Sequence, residues 1–498
     1  MAWGQAGART IDDLVRRIAG NDPTLTSLTI LRQRRFTHDD VASFVRAMAT
    51  NTNLTELYCS SHPAAPHTAS LFAEMLTHSH SMRSLCVGDS SFGDDGVVEL
   101  ARGVAASSLT HLDLSNKGLG QRGAKALAAA LAAAPSLGHL QLNSNPLLGD
   151  AGLRTLCGIG DGGADGSSGD GLAKVAIWAG LRVLEVQRCG VSADGVRALA
   201  ASPNCARLHV LRLDGNSLGP EGGAAVGELL QISSSLRELS LRQSDLGDLG
   251  GEALAAALVP RSISVTQASG GVSDPAAHGH IPLVLDLSEC GLGSQSMAAL
   301  REAILGGADL ALLCLAGNTA VSDADVAALG TVLGTALGPG RRKAESGAAV
   351  AHLDVSGTAA GPQAVSALSL AEGLRHLSMV GCPLGAGGAA ALASSLATSG
   401  VESTECGKGE SSAAASPWPE LQELCISGTG LDMEDLKAVF GALAAGGAPK
   451  LKSLEVGANP GVREDAFQVL LGSLRDSRPQ LAVYWRSGDD LGTRVQGQ

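Results

Sequence analysis

Aromatic residues are scarce in this chain: Phe, Trp and Tyr together make up 2% of its 498 residues. Leucine, alanine and valine must therefore pack the core. No stretch of about 18 apolar residues is present, so a membrane-spanning helix is not expected. The first residues reach acidic side chains before any apolar run, and we therefore expect no secretory signal.

Paired cysteines are also absent from the sequence. The ten cysteines are spread singly, without a CxxC motif, and their spacing indicates neither a disulfide framework nor a zinc site. This usage is typical of a reducing compartment, so we expect a cytoplasmic protein or one attached to an intracellular structure. The net charge of −13 disfavours binding to nucleic acid, because phosphate contacts require lysine and arginine.

The feature that dominates the sequence is a repeat. About every 28 residues a leucine-rich strand precedes a glycine-marked helix, as in LTHLDLSNKGLGQRGAKALAAAL from Leu109 and LHVLRLDGNSLGPEGGAAVGELL from Leu208. Ten of the 14 intervals between successive copies lie between 24 and 30 residues, and the other four contain insertions. The periodicity predicts about 15 stacked units. Their first apolar strand residues are Leu25, Leu54, Met82, Leu109, Leu137, Leu181, Leu208, Leu236, Pro282, Leu310, Val350, Leu374, Leu421, Leu451 and Leu481.

Each unit predicts one strand followed by one helix. In LTHLDL, Leu112 and Leu114 point into the core, while His111 and Asp113 point outward, because strand side chains alternate between faces. Apolar residues then recur at helical spacing. The pattern predicts an α/β solenoid, a curved horseshoe of about 14–15 repeats, with a parallel β-sheet on the concave face and α-helices on the convex face.

The ninth position of the repeat is usually small and able to form hydrogen bonds, as Asn145 and Cys189 are. A buried turn requires such a group, because unpaired polar atoms there are costly. Lys117 and His62 break this rule, and Asn116 is expected to substitute for the lysine.

The repeat resembles the ribonuclease-inhibitor type of leucine-rich repeat, whose pattern is LxxLxLxxNxLGxxGxxxLAxxL. The resemblance covers roughly residues 25–480 and extends to the alternation of Asn and Cys at the ninth position. It implies the horseshoe fold and specifies function weakly. Families that share this repeat type include ribonuclease inhibitors, the sensor arm of innate immune receptors, activators of the Ran GTPase and subunits of ciliary regulatory complexes.

The ends of the repeat array are expected to be capped. Residues 1–24 contain a predicted capping helix with Thr10 as N-cap, residues 25–480 form the repeat domain, and residues 481–498 form a last strand and a loose tail. Four insertions each follow a helix and precede a strand, so we expect them on one edge as passive loops or a second binding edge. They are residues 158–180, 259–281, 338–349 and 399–420.

Two further features bear on contacts. Trp178 and Trp418 stand just before strands and are expected to fold the ends of their insertions onto the repeats. The first 46 residues carry seven arginines against five aspartates in an otherwise acidic chain. This basic end is interpreted either as a solvated cap or as a docking point for an acidic partner.

Candidate chemistry is limited to polar side chains on the strands. His111 and Asp113 are expected to lie beside His139, and His352 and Asp354 beside His376, so each trio is either a metal site or a polar surface. The second interpretation is preferred, because no fourth ligand is evident. The sequence GIGDGG at residues 158–163 matches a dinucleotide motif but follows a helix, where that motif does not function. We therefore predict no enzyme, no metal and no cofactor.

The predicted concave face is acidic. Eight carboxylates stand at the third and fifth strand positions against one base, which predicts a basic protein surface as partner. Lysine substitutions at Glu185, Glu238 and Asp286 are expected to abolish binding without disturbing the fold. The predicted partner-binding residues are Tyr58, His111, Asp113, His139, Glu185, Arg212, Glu238, Asp286, His352, Asp354, His376, Glu423 and Glu455. Glu56 completes the eight carboxylates.

The leading functional hypothesis is a non-enzymatic scaffold for protein–protein interaction in a larger intracellular assembly, with no nucleic acid or membrane as partner. The resemblance suggests a ciliary, axonemal or cytoskeletal setting. The alternative is a regulator of an enzyme, either a Ran-type GTPase activator or an inhibitor of a hydrolase. An immune sensor is a weaker hypothesis, because no nucleotide-binding domain precedes the repeats in this sequence.

Overall fold

The computed structural model describes residues 10–159, 177–267, 282–335, 350–371, 373–397 and 417–485, without the side chains of residues 259–267 and Thr335. The chain divides into two compact units, Met1–Ser244 (unit 1) and Asp245–Gln498 (unit 2). Each unit is built from repeating strand–helix pairs.

Unit 1 pairs its strands in parallel and in chain order. Its strands are β1 Ser27–Thr29, β2 Glu56–Cys59, β3 Ser84–Val87, β4 His111–Asp113, β5 His139–Gln141, β6 Val183–Glu185, β7 Val210–Arg212 and β8 Glu238–Ser240. Its helices are α1 Ile11–Ala19, α2 His38–Met48, α3 Pro66–His78, α4 Gly93–Val104, α5 Gln121–Ala133, α6 Gly149–Leu156, α7 Ala193–Ala201 and α8 Gly219–Ile232.

Unit 2 repeats the same parallel order. Its strands are β9 Leu283–Asp286, β10 Leu310–Cys314, β11 His352–Asp354, β12 His376–Ser378, β13 Glu423–Cys425, β14 Ser453–Glu455 and β15 Ala482–Tyr484. Its helices are α9 Gly247–Gln267, α10 Ser294–Leu305, α11 Asp323–Thr335, α12 Pro362–Leu368, α13 Gly385–Ala397, α14 Met433–Ala444 and α15 Ala466–Ser477.

The core of each repeat lies between its strand and its helix. Leu112 and Leu114 of the fourth repeat are buried, as are Leu127 and Leu131 on α5, whereas His111 is exposed. Strand alternation and helical spacing thus send leucines from both elements into one layer. The predicted α/β solenoid of leucine-rich repeats, with its 15 strands, is confirmed.

Asparagines at the ninth position connect neighbouring repeats. The buried Asn145 side chain accepts hydrogen bonds from the backbone N–H groups of Lys117 and Leu119 at 2.9 and 3.0 Å. It also donates to the carbonyls of Leu114 and Leu142 at 2.9 and 2.7 Å. One side chain therefore satisfies four buried backbone groups, and Asn216 and Asn318 repeat the arrangement.

The two expected exceptions at the ninth position also contact backbone carbonyls of the preceding repeat. Lys117 is buried, and its Nζ donates to the carbonyl of Gly88 at 2.9 Å. The imidazole of His62 lies 3.3 Å from the carbonyl of Ile30. The expectation that Asn116 substitutes for Lys117 is therefore wrong, because the lysine side chain is long enough to reach the backbone of the preceding repeat.

The ends of the described segments are tied down by specific bonds. Thr10 caps α1 through a capping box with Asp13, as its position in the sequence predicts. The indole N–H of Trp178 donates to the carbonyl of Leu156 at 3.1 Å, and that of Trp418 to Oγ of Ser395 at 2.9 Å. Both indoles are buried, so the prediction that they anchor the chain before β6 and β13 is confirmed.

Other expectations for the ends fall partly outside the described residues. Residues 160–176, 268–281, 336–349 and 398–416 belong to the predicted insertions or adjoin them, and residues 486–498 to the predicted tail. The last strand, β15, pairs Val483 with Leu454. Leu454 is the fourth residue of the repeat that starts at Leu451, so its pairing partner Val483 should be the fourth residue of the last repeat. The last repeat then starts at Gln480, and the start expected at Leu481 is wrong by one residue.

Candidate functional site

We call the strand face the set of side chains at the third and fifth positions of each repeat, counted from its first apolar strand residue. These side chains point away from the buried leucines. All 13 predicted partner-binding residues lie on it, in strands β2, β4 to β9 and β11 to β14. The strand register places His111 beside His139 and His352 beside His376, as expected. The two units differ in how the charged members are paired.

In unit 1 the strand face carries a hydrogen-bonded network centred on Glu185. Its Oε1 accepts hydrogen bonds from Arg212 Nη1 at 2.8 Å and Gln141 Nε2 at 3.3 Å, and lies 3.0 Å from His139 Nε2. Asn143 Nδ2 donates to Oε2 at 2.9 Å. Four side chains from the two flanking repeats therefore hold one carboxylate.

Arg212 extends the network to the next strand. Its Nε and Nη2 donate to Oε1 of Glu238 at 2.9 and 2.7 Å. One guanidinium thus bridges Glu185 and Glu238, and this charge-assisted contact is stronger than a neutral hydrogen bond. The three side chains carry a combined charge of only −1.

The network determines the protonation of its central carboxyl group. Burial raises the pKa of Glu185, but hydrogen bonds from His139, Asn143 and Gln141 and the charge of Arg212 outweigh it and lower the pKa to about 2. Burial lowers the pKa of Arg212, and the bonds to Glu238 and the charges of both glutamates raise it overall. Both groups are therefore charged at neutral pH.

The expectation that Glu185 faces solvent is wrong. The residue is 5% exposed, because Gln141, Asn143 and Arg212 pack around its carboxylate. Glu238 is partly exposed and bonded to Arg212. Lysine at either position would face the guanidinium, so lysine substitution of Glu185, Glu238 and Asp286 would damage the network as well as any binding.

Outside this network, the strand face of unit 1 carries two further carboxylates, Glu56 and Asp113. The rings of His111 and His139 meet edge to face with centroids 5.0 Å apart, and burial and His139 lower the pKa of His111. The Cys86 thiol donates to Oδ2 of Asp113 at 3.2 Å. Tyr58, predicted as an aromatic anchor, lies 3.1 Å from Oγ of Ser84 through its hydroxyl.

In unit 2 the strand-face carboxylates have weaker partners. Asp286 accepts hydrogen bonds from the backbone N–H and the hydroxyl of Ser288. Asp354 accepts one from the backbone N–H of Ser356, and Glu455 one from the Cys425 thiol at 3.1 Å. Within the described ranges, none of these three carboxylates forms an ion pair with a lysine, arginine or histidine.

Glu423 is the one strand-face acid of unit 2 that lies beside an imidazole in the described part of the chain. Its Oε2 is 2.9 Å from His376 Nδ1, and its side chain is 58% exposed. The His376 ring stacks on His352 at a centroid distance of 3.9 Å, with only 8° between the planes. Burial and the neighbouring His376 lower the pKa of His352.

The thiol–carboxylate pairs were not anticipated from the sequence. Cys86, Cys314 and Cys425 each lie at a fifth strand position, next to Asp113, Asp354 and Glu455 at the fifth position of the following strand. Burial raises the pKa of the three thiols, to about 12, about 12 and about 11. All three remain protonated at neutral pH and are poor nucleophiles.

The polar residues of the seventh repeat position were also missed. Asn143 supports Glu185, and Asp214 accepts hydrogen bonds from Gln187 and Ser240. The signal was present, because position seven continues the alternation of positions three and five. In the described ranges, no group of three His, Cys, Asp or Glu side chains is placed to hold a metal ion.

Comparison with known proteins agrees with the repeat architecture. Residues 105–128, 133–157, 181–200 and 233–255 match the family model described as Leucine Rich repeat. Ribonuclease inhibitor of Sus scrofa is 31% identical over 188 residues, covering 34% of this chain and 41% of its own length. NACHT, LRR and PYD domains-containing protein 3 of Homo sapiens is 32% identical over 180 residues, covering 36% of this chain and 13% of its own length.

The chain is therefore a leucine-rich repeat protein, and its repeats are of the ribonuclease-inhibitor-like type. It spans less than half the length of these curated relatives. Among solved structures, the crystal structure of the Rad7 and Elc1 complex in yeast aligns with 93% of this chain and 86% of its own, at a TM-score of 0.41 and 16% identity. Of the helices in the described residues, none is both long and apolar enough to cross a bilayer.

Proposed function

We propose that this protein is a non-enzymatic scaffold that binds a partner protein through the strand face of unit 2. The observation that carries the proposal is the row of carboxylates at Asp286, Asp354, Glu423 and Glu455. Among the described residues, their partners are hydroxyl, thiol, imidazole and backbone N–H groups, and no lysine or arginine of those ranges pairs with them. Leucine-rich repeats support protein interaction as the general role.

The chemistry of this row favours a basic partner surface. Lysine and arginine side chains can pair with the four carboxylates, and their long-range attraction speeds association at low salt. Unit 1 offers less charge, because Arg212 already neutralises part of its acidic row. The protonated thiols on the strand face support a binding role over a nucleophilic one.

Similarity to ribonuclease inhibitor supports a second candidate function, the regulation of an enzyme. In that case the acidic row would hold a basic hydrolase, or a small GTPase of the Ran type, in a one-to-one complex. A place in a ciliary or axonemal assembly, or elsewhere in the cytoplasm, stays a prediction.

Charge reversal in unit 2 tests the proposal. Glu423→Lys combined with Glu455→Lys changes two exposed side chains on neighbouring strands. We expect native affinity purification to recover a stoichiometric set of proteins with the wild type and at least about tenfold less with the variant. A set of several structural proteins supports the scaffold, whereas a single hydrolase or GTPase supports the regulator.

The matched control places the same charge change on the helices. Glu252→Lys on α9 and Glu302→Lys on α10 alter two exposed acids of the same unit. The control is expected to retain every partner. Equal loss in both variants would refute a role for the strand face, because net charge alone would then explain binding.

A further inference from the structure

A second charged surface lies at the opposite end of the sequence, in the turn between β1 and α2. Its five residues, Leu31, Arg32, Gln33, Arg34 and Arg35, are all exposed. Three arginines within four positions form a local positive cluster in a chain of net charge −13. We call these five residues the basic turn.

The basic turn is held in place on both sides by buried residues. Ile30 is buried and donates its backbone N–H to the carbonyl of Tyr58 at 2.8 Å. Phe36 is buried and packs edge to face against Phe44 and His62, with centroids 6.3 and 5.8 Å apart. The turn itself closes with a 2.8 Å hydrogen bond from the Arg34 N–H to the carbonyl of Leu31.

The guanidinium groups of Arg32 and Arg35 in this ordered turn are available for contact. Arg32 and Arg35 form no ion pair with any carboxylate in the described part of the chain, whereas Arg17 and Arg102 each pair with an acid of their own neighbourhood. Leu31 is 43% exposed and adds an apolar contact. An ordered surface costs less conformational entropy on binding than a mobile one.

From this arrangement we propose that the basic turn is a docking site for an acidic polypeptide segment that carries an apolar side chain. The guanidinium groups of Arg32 and Arg35 can each form paired hydrogen bonds with an Asp or Glu carboxylate, and the apolar side chain can cover Leu31. This site is separate from the acidic row of unit 2 and attracts the opposite charge.

The surrounding charges favour a short peptide over a larger polyanion. Asp39 and Asp40 begin α2 directly behind the turn, and Asp40 bonds to Thr37. Nucleic acid or an anionic bilayer presents dense negative charge over more than the Debye length of about 8 Å. It would therefore also come close to these aspartates, which would repel it. A short peptide segment can contact Arg32, Arg35 and Leu31 without reaching these acids.

The test uses the full chain and a fluorescently labelled synthetic peptide in which Asp and Glu residues flank one leucine. Titration followed by anisotropy should give saturable, salt-sensitive binding that Arg32→Glu with Arg35→Glu weakens by about tenfold or more. Leu31→Ser should weaken binding by a smaller factor. Far-ultraviolet circular dichroism of each variant confirms that the fold is retained.

The control variant is Arg463→Glu with Arg475→Glu, which reverses two exposed arginines of unit 2. It should bind the peptide like the wild type. The proposal is overturned by absence of saturable binding, or by equal weakening in both variants. It is also overturned if single-stranded RNA or phosphatidylserine vesicles bind the basic turn more tightly than the peptide does.

Discussion

The strand faces of the two units place similar residues in different surroundings. In unit 1, Glu185 is enclosed by His139, Gln141 and Asn143 and bonded to Arg212, which also bonds to Glu238. In unit 2, Asp354 and Glu455 contact a backbone N–H and a thiol. The fifth repeat position therefore holds a structural carboxylate at Glu185, whereas Asp354 and Glu455 keep their charge available to a partner.

The difference follows from the neighbours on the adjacent strands. Arg212 at the fifth position of β7 lies next to Glu185 at the fifth position of β6. At the same position, β10 and β13 carry Cys314 and Cys425 next to their acids. A thiol stabilises a carboxylate much less than a guanidinium does, so acids next to cysteine remain free to pair with a partner.

The largest expected effect on stability comes from reversing the charge of Glu185, the acid at the centre of the network in unit 1. Glu185→Lys should reduce the free energy of unfolding by about 3–5 kcal/mol, because it leaves a buried network without its anion and sets lysine beside Arg212. Glu455→Lys should change it by only about 0.5 kcal/mol. Urea denaturation of both variants measures the comparison, and equal effects would contradict it.

The second largest expected effect is the pH dependence of the unfolding free energy, which should differ between carboxyl groups of the two units. The pKa of Glu185 lies at about 2, below its ordinary value of 4.5. Its contribution to stability is therefore complete above pH 4.5 and is lost as the pH falls toward about 2. Unfolding free energies of the wild type and of Glu185→Gln should converge by on the order of 2 kcal/mol across this interval.

A matched variant in unit 2 serves as the control for this pH dependence. Glu423→Gln changes an exposed carboxyl group that faces a single imidazole. Because this carboxyl group is exposed, its replacement should change the unfolding free energy by no more than about 0.5 kcal/mol. A convergence as large as that of Glu185→Gln would show that the network does not set the acid response.

Sequence patterns were sufficient to predict the repeats, the alternation of strand faces and the alignment of the histidine pairs. These features depend on a period of two along a strand and on stacking in register. The anchoring of Trp178 and Trp418 was also predictable, since each is a large apolar residue next to a polar insertion.

The burial of Glu185 was not predictable from its own repeat. Its partners Gln141 and Asn143 lie 44 and 42 residues earlier, across an insertion, and Arg212 lies 27 residues later. Whether four polar groups converge on one carboxylate depends on side-chain rotamers across three strands. The role of Lys117 was missed for the same reason, since its Nζ reaches the carbonyl of Gly88, 29 residues away.

Installing a cation in unit 2 should reproduce the charge pairing of unit 1. Cys425→Arg places a guanidinium next to Glu455, as Arg212 lies next to Glu185. We expect recovery of co-purifying partners to fall by about tenfold, while the unfolding free energy changes by no more than about 1 kcal/mol. Cys425→Ser, which adds no charge, should retain the partners; if it loses them equally, the thiol and not the charge matters.

The smallest expected effect is a difference in alkylation rate between the strand-face thiols of the two units. Burial, together with the neighbouring carboxylate, raises the pKa of Cys86 in unit 1 to about 12 and of Cys425 in unit 2 to about 11. Alkylation followed by peptide mass spectrometry should therefore modify Cys425 before Cys86 as the pH rises, since Cys86 is also the more buried.

Removing the neighbouring carboxylate charge distinguishes its contribution to the raised thiol pKa from the contribution of burial. Glu455→Gln should speed alkylation of Cys425, because the carboxylate no longer opposes formation of the thiolate. Asp113→Asn should have a smaller effect on Cys86, where burial is the larger obstacle. If Cys86 responded more strongly than Cys425, the neighbouring carboxylate and not burial would control the reactivity of the Cys86 thiol.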